Sequence, residues 1–394
     1  MRLLVITNAC FKSESASGYC MENILLALTE NTKVKVDVIS FWKQDNIFQV
    51  NDNLRVLYRG NKIFKNSGLV KQNIQCIFNK ITSELIDPDI NVMYQKKVLR
   101  SVSQLIQENK YDAIISSMGG RSTGYAAYKI KKKYGLKWIC ILFDPFVKNN
   151  HLYKKNRVYY KRADRFDQVI KNDCDLIILE ECIYNTINEK EIKSKVVKIG
   201  MPLVLAKEKR EKSSNTIKSG IISIAFFGAL YKNLRDPEYS ISLLLKIPNV
   251  RLDFYGNSST KQMISLYGEG RVCYRGVASH ADIEKIVDSY DYLLNIGNAT
   301  LNQVPSKIYE YITYKKPIIN IVKNRDDPTI DVIKRYTYGI SLVENEDGNI
   351  KKLESFISND LKVPDDQMIA DRFQMNSPYY AANIILKELS EGCH

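Results

Sequence analysis

Short apolar runs alternate with segments whose apolar residues recur every three or four positions, and this alternation continues along nearly the whole chain. Arg2–Thr7 (RLLVIT), Val34–Phe41 (VKVDVISF), Ala113–Ser116, Trp138–Phe143 and Leu176–Leu179 read as buried strands of a parallel sheet. Between them, Tyr19–Leu28 and the set Ile74, Ile77, Phe78, Ile81 and Leu85 place their apolar residues on one helical face. Strand then helix, repeated, is the pattern of a doubly wound α/β fold.

The pattern is interrupted at Lys207–Gly220 (KEKREKSSNTIKSG), a charged stretch with almost nothing apolar to bury, and it then resumes. The second series comprises Ile222–Phe227, Val250–Tyr255, Val272–Arg275, Tyr292–Ile296, Pro317–Val322 and Ile340–Val343. The 394 residues, at roughly 150 per domain, therefore divide into two Rossmann-like domains facing a central cleft. The expected boundaries are 1–205 for the first domain, 206–220 for a linker and 221–375 for the second domain. A C-terminal helix over 376–394 is expected to pack back towards the first domain.

Composition narrows the function classes. With 45% hydrophobic and 26% charged residues the chain is neither disordered nor collagen-like. No apolar run nears the roughly 18 residues that cross a bilayer, and Leu3–Ile6 is too short for a signal-peptide core. The eight cysteines include no CxxC pair, which predicts reduced structural thiols and a cytoplasmic location. The net charge of +14 is unevenly placed: residues 1–205 carry 33 Lys and Arg against 20 Asp and Glu, the remainder 25 against 24. A basic half implies a polyanionic partner (nucleic acid, an anionic membrane surface or a phosphorylated acceptor), or simply a solvated lysine-rich surface.

The stretch most informative about chemistry runs from Tyr292 to Ile319, YLLNIGNATLNQVPSKIYEYITYKKPII. A strand leads into the polar loop Asn298–Pro305, and a helix opens near Ser306. Free backbone N–H groups and the positive helix end would stabilise a phosphate there. Lys307 in the first turn opposes the helix dipole unless an anion or carboxylate compensates, or unless it simply points to solvent. Glu310 could accept hydrogen bonds from a ribose diol or serve as an i, i+3 partner of Lys307. Gly228, after the first strand of this domain, permits close approach of a phosphate or forms a plain turn. Lys232 and Arg235 beyond it could neutralise a diphosphate.

These residues resemble the GT-B-fold glycosyltransferases, specifically the retaining group of glycosyltransferase family four. Glu310-Tyr-Ile-Thr-Tyr-Lys-Lys-Pro-Ile-Ile is similar to the later part of that family's Glu-x7-Glu motif. The position of the earlier Glu is Asn302 in this chain. Asn302–Tyr311 resembles the N-Q-x-P-S-K-x-F-[ED]-Y variant of bacterial surface-polysaccharide enzymes, and Phe226–Pro237 the family's first strand and basic loop. Phe254–Gly256, Val272–Val277 and His280–Tyr290 extend the likeness over most of the second domain. In the first it is thinner: Gly18 resembles the glycine loop after the first strand.

The resemblance implies Glu310 on the nucleotide ribose, and Arg235, Ser306, Lys307 and loop amides on the diphosphate. Gly18, Gly228 and Asn302 complete the expected donor contacts. Asp144, after the strand Trp138–Phe143, is the candidate sugar ligand or base in the first domain, or else a turn residue before Pro145. Met118–Gly124 is a glycine loop without P-loop spacing, His151 reads as a surface histidine, and His280 reads as the start of a helix. Asp87/Asp89 and Asp173/Asp175 do not form a metal motif, so no metal and no cofactor beyond a UDP- or GDP-linked sugar are expected.

Basic and aromatic residues cluster at 62–80 and at Lys154, Lys155, Arg157, Tyr159, Tyr160, Lys161, Arg162 and Arg165. Each such cation adds about 1 kcal/mol near an anionic bilayer, which favours a peripheral membrane surface over nucleic acid, for which no RNA-binding signature is present. The expected protein is a glycosyltransferase of the inner membrane face, acting on a lipid-linked or oligosaccharide acceptor in surface-polysaccharide synthesis. It is expected to retain configuration and to need no metal. A nucleotide-sugar epimerase of the same fold and a catalytically inactive nucleotide-binding or scaffold protein are the alternatives.

Overall fold

The computed structural model describes residues 1–8, 10, 15–42, 46–60, 92–118, 121–146, 157–205, 220–232, 234–259, 261, 264, 270–301 and 303–391. It divides into two compact units, Met1–Leu203 with Met375–His394, and Val204–Gln374. The charged stretch 206–219, the expected helix over 74–85, the 62–80 cluster, Lys154, Lys155, His151 and Asn302 lie outside the described residues.

The first unit is built on an eight-stranded sheet in the order β3-β4-β2-β1-β5-β6-β7-β8 among the described residues. Its strands are β1 (Arg2–Thr7), β2 (Lys35–Trp42), β3 (Asn46–Asn51), β4 (Leu54–Gly60), β5 (Ala113–Met118), β6 (Lys137–Leu142), β7 (Leu176–Glu180) and β8 (Lys195–Ile199). All pair in parallel except the edge strand β3, which runs antiparallel to β4. Helices α1 (Ala16–Glu30), α2 (Val92–Glu108), α3 (Arg121–Tyr134), α4 (Arg157–Asp173) and α5 (Glu181–Tyr184) fall between strands. Near-complete burial of β1, β6 and β7 explains why their sequences read as apolar runs.

Among the described residues, the second unit has a six-stranded, wholly parallel sheet ordered β11-β10-β9-β12-β13-β14. Its strands are β9 (Ile222–Phe227), β10 (Val250–Tyr255), β11 (Val272–Gly276), β12 (Tyr292–Ile296), β13 (Ile318–Val322) and β14 (Gly339–Val343). Among the described residues, its helices include α6 (Glu238–Leu244), α7 (His280–Ile286), α8 (Lys307–Thr313), α9 (Thr329–Tyr336), α10 (Asn349–Ser358) and α11 (Asp366–Arg372). Numbered from its own first strand, the sheet runs 3-2-1-4-5-6, the Rossmann order, and its direction of growth reverses between β9 and β12.

The final helix, α12 (Pro378–Glu391), belongs to the first unit and packs on α1. Glu388 on α12 accepts salt bridges from Lys137 at 2.8 Å and Lys195 at 2.6 Å, fastening the end of the chain to β6 and β8. Among the described residues, no helix is long and apolar enough to cross a membrane.

Candidate active site at the switch point of the second domain

Pairing between β9 and β12 is confined to Tyr292 with Ile224 and Leu293 with Ala225, although both strands continue further. The strands therefore part towards their carboxyl ends, where open α/β sheets bind ligands. Beyond the parting point the backbone of Phe227 has no strand partner on the β12 side. Tyr311, buried on α8, takes over: its hydroxyl accepts from Phe227 N–H at 2.8 Å and donates to Phe227 C=O at 3.1 Å. One side chain thus ties α8 to the end of β9.

The turn after β9 places Arg235. Leu234 and Arg235 donate backbone N–H groups to the Tyr231 carbonyl, and the guanidinium folds back over Gly228. A Cβ on Gly228 would lie 3.1 Å from the Phe226 ring and 3.6 Å from Arg235 Nη1. The Gly228 carbonyl fills the space where a side chain on Gly256 would stand, and Gly256 has φ +123°, so β10 can end there only in glycine. Arg235 donates Nε and Nη2 to Asn298 Oδ1 at 3.2 and 2.7 Å, and Nη1 to the Ala229 carbonyl at 3.2 Å. Burial pulls the guanidinium below its ordinary value, opposed by Tyr311, Tyr231 and Asp327; it stays charged throughout the physiological range.

The loop after β12 leads into α8, which begins at Lys307 with half-buried Ser306 as a cap whose side chain makes no capping bond. Lys307 Nζ lies 2.7 Å from Glu310 Oε2, and His280 Nδ1 approaches the same oxygen at 3.3 Å. The carboxylate that compensates Lys307 against the helix dipole is thus Glu310. Burial alone would raise the Glu310 carboxyl, but the Lys307 ammonium and then His280 outweigh it and hold it below its ordinary value. It is an ionised, acceptor-only group with two donors on one oxygen.

Asp327, buried in the loop between β13 and α9, stands against Gly297 and within electrostatic reach of Arg235. Its Oδ1 accepts from Thr329 N–H at 2.8 Å and Thr329 O–H at 2.5 Å, and its Oδ2 lies 2.5 Å from where a Cβ on Gly297 would stand. Burial raises its carboxyl, opposed by Thr329 and then Arg235.

The structure therefore gathers Gly228, Arg235, Ser306, Lys307 and Glu310 around the ends of β9 and β12. Gly18 and Asp144 belong to the first unit. Gly18 lies within the first turn of α1 rather than before the helix, its N–H donated to the capping Ser15 Oγ at 3.1 Å; Asp144 is exposed two residues beyond β6. Asp173 and Asp175 are engaged by Lys132 at 3.0 Å and Lys131 at 2.6 Å.

Solved structures similar to this chain span nearly its whole length. The apo form of the lipopolysaccharide outer core galactosyltransferase WaaB is 13% identical, with 99% of each chain covered and a TM-score of 0.60. HepE of Anabaena, solved in complex with UDP, is 13% identical, covers 99% of this chain and 100% of its own, and has a TM-score of 0.62. The chain has the GT-B fold. The UDP-GlcNAc 2-epimerase of Methanocaldococcus jannaschii aligns as well, at 12% identity, 98% and 100% coverage and a TM-score of 0.54. No family model matches the sequence, and no curated protein sequence does so either.

Within this GT-B chain, sequence reasoning missed four members of the site. His280 does open α7, behind a capping box between Ser279 and Asp282, but its reach to Glu310 across the fold has no sequence signal. Asn298, Tyr311 and Asp327 act through contacts 63, 84 and about 90 residues away, which no local spacing encodes.

Proposed function

We propose that the protein is a glycosyltransferase that takes its sugar from a nucleotide-diphosphate donor bound at the switch point of the second domain. The observation that carries this reading is that two cations stand at the parted ends of β9 and β12, Arg235 held by Asn298 after β9 and Lys307 paired with the ionised, buried Glu310 on α8, whose Tyr311 bonds the end of β9. Glu310 has the chemistry to accept a ribose diol. Arg235 and Lys307, with Ser306 and the backbone at Gly228, would take the diphosphate, and Asn302 stands where the family's earlier Glu meets the donor sugar; the WaaB and HepE likenesses support a nucleotide-sugar donor. Positive charge fixed beside the leaving diphosphate stabilises it as the glycosidic bond breaks, an electrostatic route requiring no metal.

The family resemblance favours retention of configuration, with the departing phosphate taking the acceptor proton; an inverting reaction would call on a carboxylate such as Asp144 as base. The basic first half favours a lipid-linked or oligosaccharide acceptor at the cytoplasmic face of a membrane, in surface-polysaccharide synthesis. Gly18 is proposed, from the family resemblance alone, as a donor-binding residue.

The test is transfer of labelled sugar from UDP- and GDP-sugars to a membrane extract. Wild type should label the extract, and Arg235→Ala should lower kcat by about 10²-fold, the scale of losing one charge-stabilising donor. Release of free, isomerised sugar without acceptor would favour the epimerase reading, as the M. jannaschii likeness allows. Nucleotide binding without any turnover would mark an inactive binding protein.

A further inference from the structure

Two arginines of the first unit, Arg2 and Arg55, share the Asp37 carboxylate at 3.0 and 2.7 Å, and in the second unit Arg275 meets Asp253 at 2.9 Å. Arg235 is held differently. Among the described residues, the three hydrogen bonds of its guanidinium end on neutral oxygens, two on the Asn298 amide and one on the Ala229 carbonyl. A carboxylate would aim the guanidinium equally well but would cancel its charge; an amide oxygen fixes its direction and leaves the charge available.

The Asn298 side chain has a second task. Its Nδ2 donates to the Gln303 carbonyl at 2.8 Å, so one buried amide joins the turn after β9 to the loop entering α8. These partners settle the amide orientation, since Arg235 has only donors to offer and Gln303 C=O only an acceptor. Aspartate could accept from Arg235 but would set a carboxylate against the Gln303 carbonyl, and alanine would do neither. Asp327, the carboxylate whose charge Arg235 feels, directs Oδ1 to Thr329 and packs Oδ2 against Gly297, the residue preceding Asn298.

We propose that Asn298 is the positioning residue of the diphosphate subsite, presenting the Arg235 guanidinium with its charge uncompensated to the donor's phosphate groups. The inference rests on the nucleotide-donor reading and deepens it, because it predicts how affinity divides between nucleoside and diphosphate.

The experiment compares wild type, Asn298→Asp and Asn298→Ala by calorimetric titration, using the nucleoside diphosphate that binds wild type most tightly and its parent nucleoside. Asn298→Asp should weaken diphosphate binding by about tenfold or more while nucleoside affinity changes less than about twofold. Asn298→Ala, which loses the aim without adding a charge, should fall between, and it carries the test if the aspartate variant does not fold. Diphosphate binding unchanged in the variants, or an equal loss of nucleoside and diphosphate affinity, overturns the inference and leaves Asn298 a structural tie. A wild type that binds no nucleoside diphosphate overturns the donor reading first, and this inference with it.

Discussion

Glu180 ends β7 with its carboxyl turned inward, where Oε2 accepts from Cys182 N–H at 2.9 Å and the buried Oε1 has no hydrogen-bond partner among the described residues. Burial pushes this carboxyl from an ordinary 4.5 up to about 7. The folded protein therefore holds the proton more tightly than the unfolded chain. The resulting stability is complete below pH 4.5 and is lost as pH rises through about 7, a loss approaching roughly 3 kcal/mol. Urea titrations at pH 5 and pH 8 should show this decline in wild type and a flatter profile in Glu180→Gln; identical profiles would contradict it. Glu310 contributes with the opposite sign, since its lowered value adds stability that is lost as pH falls. At this scale the sequence was a partial guide. Arg235, Lys307 and Glu310 stand out as candidates in the sequence because a cation against a helix dipole and a strand-end glycine are local signals, and their donor contacts are proposed. Asn298, Asp327 and His280 do not stand out, because their roles depend on which strand ends the fold brings together.

Strands proved the most legible elements. Ile222–Phe227, Val250–Tyr255 and Tyr292–Ile296 stand at the limits expected from their sequences, because mostly apolar, largely buried runs contrast with the polar segments that flank them. The edge strand β3 went unread: four of its first five residues, including Ile47 and Phe48, are exposed, so its sequence carries no burial pattern. Short β8, largely half-buried, was hidden in the same way. The pairing of α8 with the end of β9 was likewise invisible, since it rests on one tyrosine hydroxyl meeting both backbone groups of Phe227. Tyr311→Phe removes that hydroxyl and leaves a buried N–H and C=O unpartnered, a loss of about 2 kcal/mol. Chemical denaturation should register it, and a variant as stable as wild type would show that the parted strands do not depend on α8.

For the whole molecule, the Rossmann order of the second sheet puts Gly228 and Arg235 after one strand, and Gly297 and Asn298 after its neighbour across the reversal. The candidate site thus joins a local motif on α8 to residues that only the strand order brings beside it. An interrupted pattern and a charged stretch are what suggest two domains in the sequence; the structure divides into two compact units, with α12 in the first unit and in contact with α1. The central claim is that this switch point binds a nucleoside diphosphate through Glu310 and the neighbouring cations. The most direct measurement is a thermal-shift panel of wild type and Glu310→Ala with UDP, GDP, ADP, dTDP and CMP, without added metal. One diphosphate at a hundred times its Kd should stabilise wild type by about 2.7 kcal/mol, with a markedly smaller shift in Glu310→Ala. No shift with any nucleotide at millimolar concentration, or equal shifts in both proteins, would contradict it.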